Sequence, residues 1–328
     1  MPTQTVNEAI ESDFRAAILR LTAPGPHSLK PPSPSQKLGL AVSGGPDSIA
    51  LLLLAHSNFA GTVRAATVDH KLRPEAKSEA NFVADLCRQL GIPHDILAPD
   101  APITGNIQSS ARATRYALLN QWADEHDIPW LATAHHADDQ LETVLMRLNR
   151  GSGLSGMSAI RQRNKNIIRP LLGSEKAELV EYVHSHNIIP VDDPSNHSLS
   201  FDRVRMRKAL SCFKEIDPKS AVKSASALAS ADEALNWICQ REAAQHVGIA
   251  GSAIILQKTD YPYEILRRLF LYCLEQAEPS ITPRGPTIEH ALNTLIKNGK
   301  VNIGNTSCEG GKTWKFDKAK ARRAKTDK

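Results

Sequence analysis

Apolar residues recur every three or four positions over residues 5–22 (Val6, Ile10, Phe14, Ile18, Leu21), a spacing that lines one face of a helix. Pro24, Pro26, Pro31, Pro32 and Pro34 follow. Proline fixes φ and has no amide hydrogen, so this stretch predicts an extended linker. From Lys37 the pattern changes. Short apolar runs at 38–42, 63–68, 94–97 and 130–134 have strand length, and each precedes a helical pattern, at 48–57, 75–90, 107–126 and 138–149. A shorter unit, 167–171 then 174–186, repeats the order. Strands alternating with helices imply a doubly wound α/β domain, a parallel sheet covered on both faces. Ligands of such sheets bind at the carboxyl ends of the strands. The segments Ser43–Ser48, Val68-Asp69-His70 and Thr133-Ala134-His135 all follow strands and are predicted to meet on one edge.

Past Phe201 the pattern changes again. Residues 220–246 are rich in alanine and carry apolar positions at Ala225, Leu228, Ala231, Leu235 and Ile238, one long helix. Short strands at 253–256, 301–303 and 313–316 and helices at 263–275 and 287–297 predict a small α+β domain. The expected organisation is an N-terminal helix and linker (1–37), a catalytic domain (38–212), a connecting helix (213–246) and a C-terminal domain with a basic tail (247–328).

The 328 residues are 41% hydrophobic and 23% charged, ordinary for a soluble globular chain with two domains. No stretch approaches the roughly 20 apolar residues of a membrane span, and the first residues lack the basic and apolar regions of a signal peptide. The five cysteines (Cys87, Cys212, Cys239, Cys273, Cys308) are scattered without a C-x-x-C pair. That spacing suits reduced thiols in the cytoplasm and disfavours a zinc ribbon or an iron–sulfur cluster. Net charge is +5, with basic clusters at Arg161/Arg163/Lys165/Arg169, at Arg203/Arg205/Arg207/Lys208 and in the tail, where residues 312–328 hold eight Lys/Arg against two Asp. Each cluster alone could be a solvated surface; three on one chain point to a polyanionic partner such as nucleic acid.

The most specific chemistry lies in Leu38–Leu54, LGLAVSGGPDSIALLLL. A strand, a turn with two adjacent glycines and an apolar helix follow one another. The glycines let backbone approach a bulky anion, and the helix start offers free N–H groups and a partial positive charge. Ser43 and Ser48 add hydroxyls. A carboxylate repels phosphate, so Asp47 makes sense there when a divalent cation bridges the two. The loop is not a Walker A sequence, because G-x-x-x-x-G-K-[ST] does not occur. A second constellation is HHADDQLET, residues 135–143. Leu141, Val144, Leu145 and Leu148 make an apolar helical stripe, so Asp138 and Asp139 occupy the first turn and Glu142 stands one turn on. Two acids at a helix start are common architecture. Two carboxylates and an imidazole at the end of a strand also make a Mg²⁺ or general-base site.

The turn resembles the SGGxDS loop of the ATP-pyrophosphatase (PP-loop) superfamily. SGGPDS, VDHKLRPEAKSEANFV, NIQSSARATRYALL, TAHHADDQLETVLMRLNRGSGLSGMSAI, IIRPLL and DDPSN occur in one order over 38–210. That order is similar to the tRNA(Ile)-lysidine synthetases, HHADDQLET with RGSGLSGMSAI being the specific part. The resemblance implies a doubly wound parallel sheet followed by a long connecting helix and a small α+β domain. It implies that ATP adenylates carbon-2 oxygen of the wobble cytidine in the CAU anticodon of tRNA(Ile). The side-chain amine of free L-lysine then displaces AMP to form lysidine, which changes decoding from AUG to AUA. ATP and Mg²⁺ are the cofactors implied, the cytoplasm the location, and a second copy of the chain a candidate partner.

By the same resemblance Ser43, Gly44, Gly45, Pro46 and Ser48 hold phosphate, Asp47 and Asp139 hold Mg²⁺, and Asp69 and His70 border the adenosine. Arg112 stabilises phosphate charge in the transition state. His135, Asp138, Asp139 and Glu142 hold lysine or metal. Lysine's amine has a reference pKa of about 10.4, so a base must help remove its proton; Asp139 is favoured, with His135 the alternative. Arg115, Arg150, Arg203, Arg205, Arg207 and Arg268 are expected on tRNA. Arg150-Gly151-Ser152-Gly153 reads as a loop able to close over the site. Two departures stand out. Val204 replaces a customary Asn, and Lys71 a customary Gly after Asp-His. A second C-terminal domain of longer relatives is expected to be lacking. The alternatives are another PP-loop tRNA-modifying enzyme (thiolase or amidating) and a nucleotide-binding regulator. The absence of paired C-x-x-C ligands disfavours the thiolase.

Overall fold

The computed structural model describes residues 2–23, 37–72, 75–102, 107–191, 202–213 and 215–319. The proline-rich linker, Asp192–Asn196 of the DDPSN motif and residues 320–328 of the basic tail lie outside the described residues. The chain divides into two compact units, 1–229 and 230–328.

The first unit runs α1 (Pro2–Thr22), β1 (Leu38–Ala41), α2 (Pro46–Phe59), β2 (Val63–Val68), α3 (Ala76–Gln89), β3 (His94–Leu97), α4 (Ile107–Glu125), β4 (Trp130–Ala132), α5 (Ala137–Asn149), α6 (Leu154–Met157), β5 (Arg163–Asn164), β6 (Ile167–Ile168), α7 (Lys176–Ser185) and α8 (Asp202–Leu210). A long helix, α9 (Pro218–His246), then crosses the division between the units. The sheet has the order β3-β2-β1-β4-β6-β5 and is parallel except for the edge strand β5, which pairs antiparallel with β6. The order reverses between β1 and β4, which are hydrogen-bonded neighbours (Leu38 opposite Trp130, Leu40 opposite Ala132). That is the switch point at which doubly wound sheets bind ligands.

Both faces of the sheet are covered. On one side α1, α2 and α7 share a core that includes Phe14, Ile18, Ile49, Leu52, Leu179 and Tyr182. Every residue of α2 from Ser48 to Ala55 is buried, which explains why its sequence is apolar all round rather than amphipathic. On the other face Leu119, Trp122 and Ala123 of α4 pack with Ile128, Leu131 and Ala66. Gly39 of β1 makes this possible, since a Cβ there would stand 2.9 Å from Ile128 and 3.0 Å from Trp122. Trp122 also donates through Nε1 to Asp95 (2.8 Å), which accepts from Arg64 Nε at 3.0 Å.

The second unit holds β7 (Val247–Ala250), β8 (Ala253–Leu256), α10 (Tyr263–Ala277), α11 (Gly285–Ile296), β9 (Lys300–Ile303), β10 (Thr306–Glu309) and β11 (Trp314–Lys318). Its antiparallel sheet has the order β7-β8-β11-β10-β9. Leu269, Phe270, Cys273, Leu292 and Leu295 of the two helices bury Trp314, Phe316 and Cys308. Strands β7 and β10 are absent from the sequence prediction. Both are four residues long, and β10 (TSCE) carries almost no apolar signal; its partners β9 and β11 define it. All five cysteines are free, Cys212 alone exposed. No helix among the described residues is long and apolar enough to cross a membrane.

Candidate active site

The phosphate loop is built as the local chemistry demands. Gly44 has φ +91, a conformation L side chains rarely adopt, so glycine is required there. Gly45 is extended, and Pro46 opens α2 at a position where its missing N–H costs nothing. Ser48 cross-links the turn: its Oγ donates to Gly45 O at 2.9 Å and accepts from Ser43 N at 3.1 Å and Ser43 Oγ at 3.3 Å. Val191 N donates to Gly44 O at 3.0 Å and anchors the outer edge.

Because β1 and β4 are neighbours, the start of α2 meets the start of α5. The meeting point is His136, only 2% exposed. Its Nε2 lies 3.5 Å from Asp47 Oδ2 and 3.5 Å from Asp139 Oδ2, and its Nδ1 lies 3.3 Å from Asp138 Oδ2. Burial alone would depress this imidazole, but Asp138, Asp47 and Asp139 together push it up to about 10. Three carboxylates thus surround one buried imidazole and favour its protonated form. Asp138 is further held by Lys176 N at the start of α7 (2.8 Å), and Asp139 accepts from His136 N at 3.3 Å. Burial would raise the Asp138 carboxyl, yet these partners hold it below its usual range.

His135 behaves oppositely. Burial depresses it, Arg169, Arg112 and Arg115 depress it further, and Asp139 opposes them; the result is a neutral ring well below its usual range. Its Nδ1 lies 3.0 Å from Thr133 Oγ1. A neutral imidazole retains a basic nitrogen, whereas the adjacent imidazolium does not. His70, after β2, is lowered by burial and by Arg115, with Asp69 opposing. Asp69 caps the turn by accepting from Lys71 N at 2.8 Å, and Lys71 takes φ +55, a strained choice for a residue with a side chain. Asp69, Lys71, Leu72, Lys77, Ala80, Asn81 and Ile96 border a cavity of about 640 Å³ at this end of the sheet.

The expected basic run is divided by helical periodicity. Arg203 and Arg207, one turn apart on α8, reach α5. Arg207 Nε donates to Glu142 Oε1 at 2.7 Å and its Nη2 to Oε2 at 3.3 Å; Arg203 Nε lies 3.6 Å from Glu142, and its Nη2 donates to Thr143 Oγ1 at 3.2 Å. Arg207 also stands 4.0 Å from Asp139. Glu142 is 1% exposed, so both of its oxygens, expected on lysine or metal, are engaged by Arg207. Arg205 and Arg150 point elsewhere and share exposed Asp202, at 3.2 Å for Arg150. Arg268 requires a correction. Expected on tRNA, it is 9% exposed inside the second unit. It donates to Asp232 Oδ1 at 2.6 Å, to Glu264 Oε1 at 2.8 Å and to Asn236 Oδ1. A buried guanidinium neutralised by two carboxylates cannot offer its charge to phosphates.

Asp47, Asp139, Asp138, His135, Arg112 and Arg115 are brought into one electrostatic neighbourhood, and Asp69 and His70 join it through Arg115. His136 and Tyr116 are members to which sequence reasoning gave no role of their own, and Arg169, read there only as one of a basic cluster, joins them. The first precedes α5 at its N-cap; the second stands four residues after Arg112 on a helix. No group of three or more His, Cys, Asp or Glu among the described residues is placed to hold a metal by itself. Asp47 Oδ1, however, is buried with no hydrogen-bond partner. Mg²⁺ commonly uses one or two carboxylates together with phosphate oxygens and water, so Asp47 with Asp139 fits such an ion.

A glycine-turned loop at the switch point of a doubly wound sheet defines a nucleotide-phosphate-binding α/β protein, and the family model described as PP-loop domain matches residues 11–212. A solved U34-tRNA thiolase, NcsA from Methanococcus maripaludis, shares the fold with a TM-score of 0.55 and 19% identity, over 69% of this chain and 79% of that one. Two curated relatives, each a tRNA(Ile)-lysidine synthase, match nearly end to end. The one from Zymomonas mobilis is 42% identical over 88% of this chain and 90% of its own length. The one from Novosphingobium aromaticivorans is 38% identical over 89% and 91%. The chain belongs to the tRNA(Ile)-lysidine synthase family of PP-loop enzymes.

Proposed function

We propose that this chain uses ATP in the cytoplasm to join the side-chain amine of free L-lysine to carbon 2 of the wobble cytidine in the CAU anticodon of tRNA(Ile). The observation that carries the reading is the junction at His136, which brings the phosphate-loop carboxylate Asp47 and the α5 carboxylate Asp139 to one nitrogen at 3.5 Å each. Chemistry that starts at a phosphate and ends at an amine needs both on one edge.

In this reading Ser43, Gly44, Gly45, Pro46 and Ser48 bind the departing pyrophosphate, which a helix N-terminus and backbone N–H groups favour. Asp47 and Asp139 would hold Mg²⁺, and the ion would supply charge neutralisation of the phosphates. Adenosine lies against Asp69 and His70. Arg112 stabilises the charge that develops as the cytidine oxygen attacks α-phosphate. Lysine then attacks carbon 2 and AMP leaves. The proton of its ammonium passes to Asp139 or to His135, with Asp139 favoured as the base. Arg115, Arg150 and Arg205 face the RNA, whereas Arg203 and Arg207 act through Glu142 by fixing α8 beside α5. The test is transfer of labelled lysine to an unmodified tRNA(Ile) CAU transcript, with and without ATP and with tRNA(Met) as control. ATP-dependent transfer to the isoleucine tRNA alone supports the proposal; pyrophosphate release without transfer refutes lysine as the nucleophile.

A further inference from the structure

Arg112, Arg115 and Arg169 form no ion pair with a carboxylate among the described residues, and all three gather at one side chain. The guanidiniums of Arg112 and Arg115 lie over the ring of Tyr116, at 5.1 and 5.3 Å from its centroid. Arg169 approaches from the protein interior and is 7% exposed. Its Nη1 donates to Arg161 O at 2.6 Å, its Nε is buried without a hydrogen bond, and its guanidinium faces the buried hydroxyl of Tyr116. Burial alone would raise the Tyr116 phenol, yet Arg112, Arg115 and Arg169 hold it below its usual range. Three like charges gathered at one ring, from exposed Arg112 to buried Arg169, repel one another, and an anion bound there relieves the repulsion.

The neighbours narrow the kind of anion. Arg115 acts on His70 at the end of β2, and all three arginines act on His135 at the end of β4, so the cluster lies between the nucleotide edge and the acidic start of α5. Two planar forks splayed over one ring suit a phosphate, which accepts bidentate hydrogen bonds from each. Stacking on an aromatic face attracts each guanidinium and fixes the fork's orientation.

We propose that Arg112 and Arg115, splayed over the ring of Tyr116 and backed by buried Arg169, form a two-armed clamp for a single phosphate group, with Tyr116 as the positioning residue that sets the spacing of the arms. The proposal rests on the functional reading above and joins on one phosphate the two arginines that reading assigns separately, Arg112 to α-phosphate and Arg115 to RNA; the source of that phosphate is either ATP or the RNA backbone.

The test compares Tyr116→Phe, which keeps the ring, with Tyr116→Leu, which removes it. Two binding constants are measured separately: ATP without RNA, and tRNA(Ile) transcript without ATP over a range of salt. Tyr116→Leu should weaken one of the two by about tenfold, and Tyr116→Phe by no more than about threefold. A weaker ATP constant with an unchanged salt dependence for tRNA assigns the phosphate to the nucleotide. A salt slope shallower by about one, with ATP unaffected, assigns it to the RNA. Both constants unchanged in folded Tyr116→Leu overturns the clamp. If that variant does not fold, the Arg112→Gln and Arg115→Gln pair decides. Arms of one clamp give a double variant little weaker than either single one, and additive losses overturn the proposal. A wild-type chain that binds neither ATP nor tRNA overturns the functional reading instead; binding of inorganic pyrophosphate by wild type and Tyr116→Leu then still tests the clamp.

Discussion

Replacing Arg268 with Met should destabilise the second unit and leave phosphate contacts intact. The side chain is 8% exposed, and its 2.6 Å partner Asp232 is 2% exposed. Methionine of similar length fills the space but leaves the Asp232 carboxylate buried without this cation. Breaking a buried pair from one side costs about 3–5 kcal/mol. Glu264 contributes little to the loss, because it is 35% exposed and keeps Arg267 at 2.7 Å. With an m-value of about 1–2 kcal/mol per molar for a unit of this size, the urea midpoint should fall by roughly 1.5 to 5 M. Trp314, 1% exposed in the core of that unit, reports the transition by fluorescence. Adding Asp232→Asn to the same chain removes that carboxylate's charge and should recover most of the loss, a coupling of about 2–3 kcal/mol. A midpoint unchanged by Arg268→Met, together with a tRNA salt slope reduced by about one, would refute the buried-pair account and return Arg268 to the RNA surface.

Asp47→Ala should abolish ATP-dependent pyrophosphate release while tRNA still binds; release at the wild-type rate would remove the metal role proposed for this carboxylate. Gly44→Ala forces a side chain into φ +91, at a cost of roughly 1–3 kcal/mol, and should lower both thermal stability and ATP affinity; an unperturbed ATP constant would mean the loop tolerates another path. Asp95 is a pH probe. Burial would raise its carboxyl, but Trp122 and Arg64 hold it below the ordinary carboxylate range. A depressed folded pKa contributes stability that is present above the unfolded pKa near 3.8 and is lost as pH falls through the folded value. Asp95→Asn should therefore be less stable at neutral pH, with the difference shrinking below about pH 4; a constant difference across that range would assign the effect to packing.

The elements of the first unit were legible because backbone sterics and side-chain periodicity act over a few residues. The runs at 63–68 and 94–97 form strands over those same residues, and the glycine turn and the first-turn position of Asp138 and Asp139 follow from local rules alone. Relatedness to PP-loop enzymes was legible for the same reason, since its motifs are short and contiguous. Tertiary structure decided which charges face which. Nothing local distinguishes His135 from His136. The pairing of β1 with β4 brings Asp47 to His136, and the arginines of α4 act on His135, so the proton affinities of neighbouring imidazoles shift in opposite directions. Arg207 and Arg205 are two residues apart on one helix, yet one is drawn to buried Glu142 and the other to exposed Asp202. Arg268 carries the same charge as any tRNA-facing arginine and is consumed by Asp232, 36 residues away along the chain. A sequence states a side chain's charge. Its partner, burial and proton affinity depend on long-range contacts in a low-dielectric interior, and only the assembled fold supplies those.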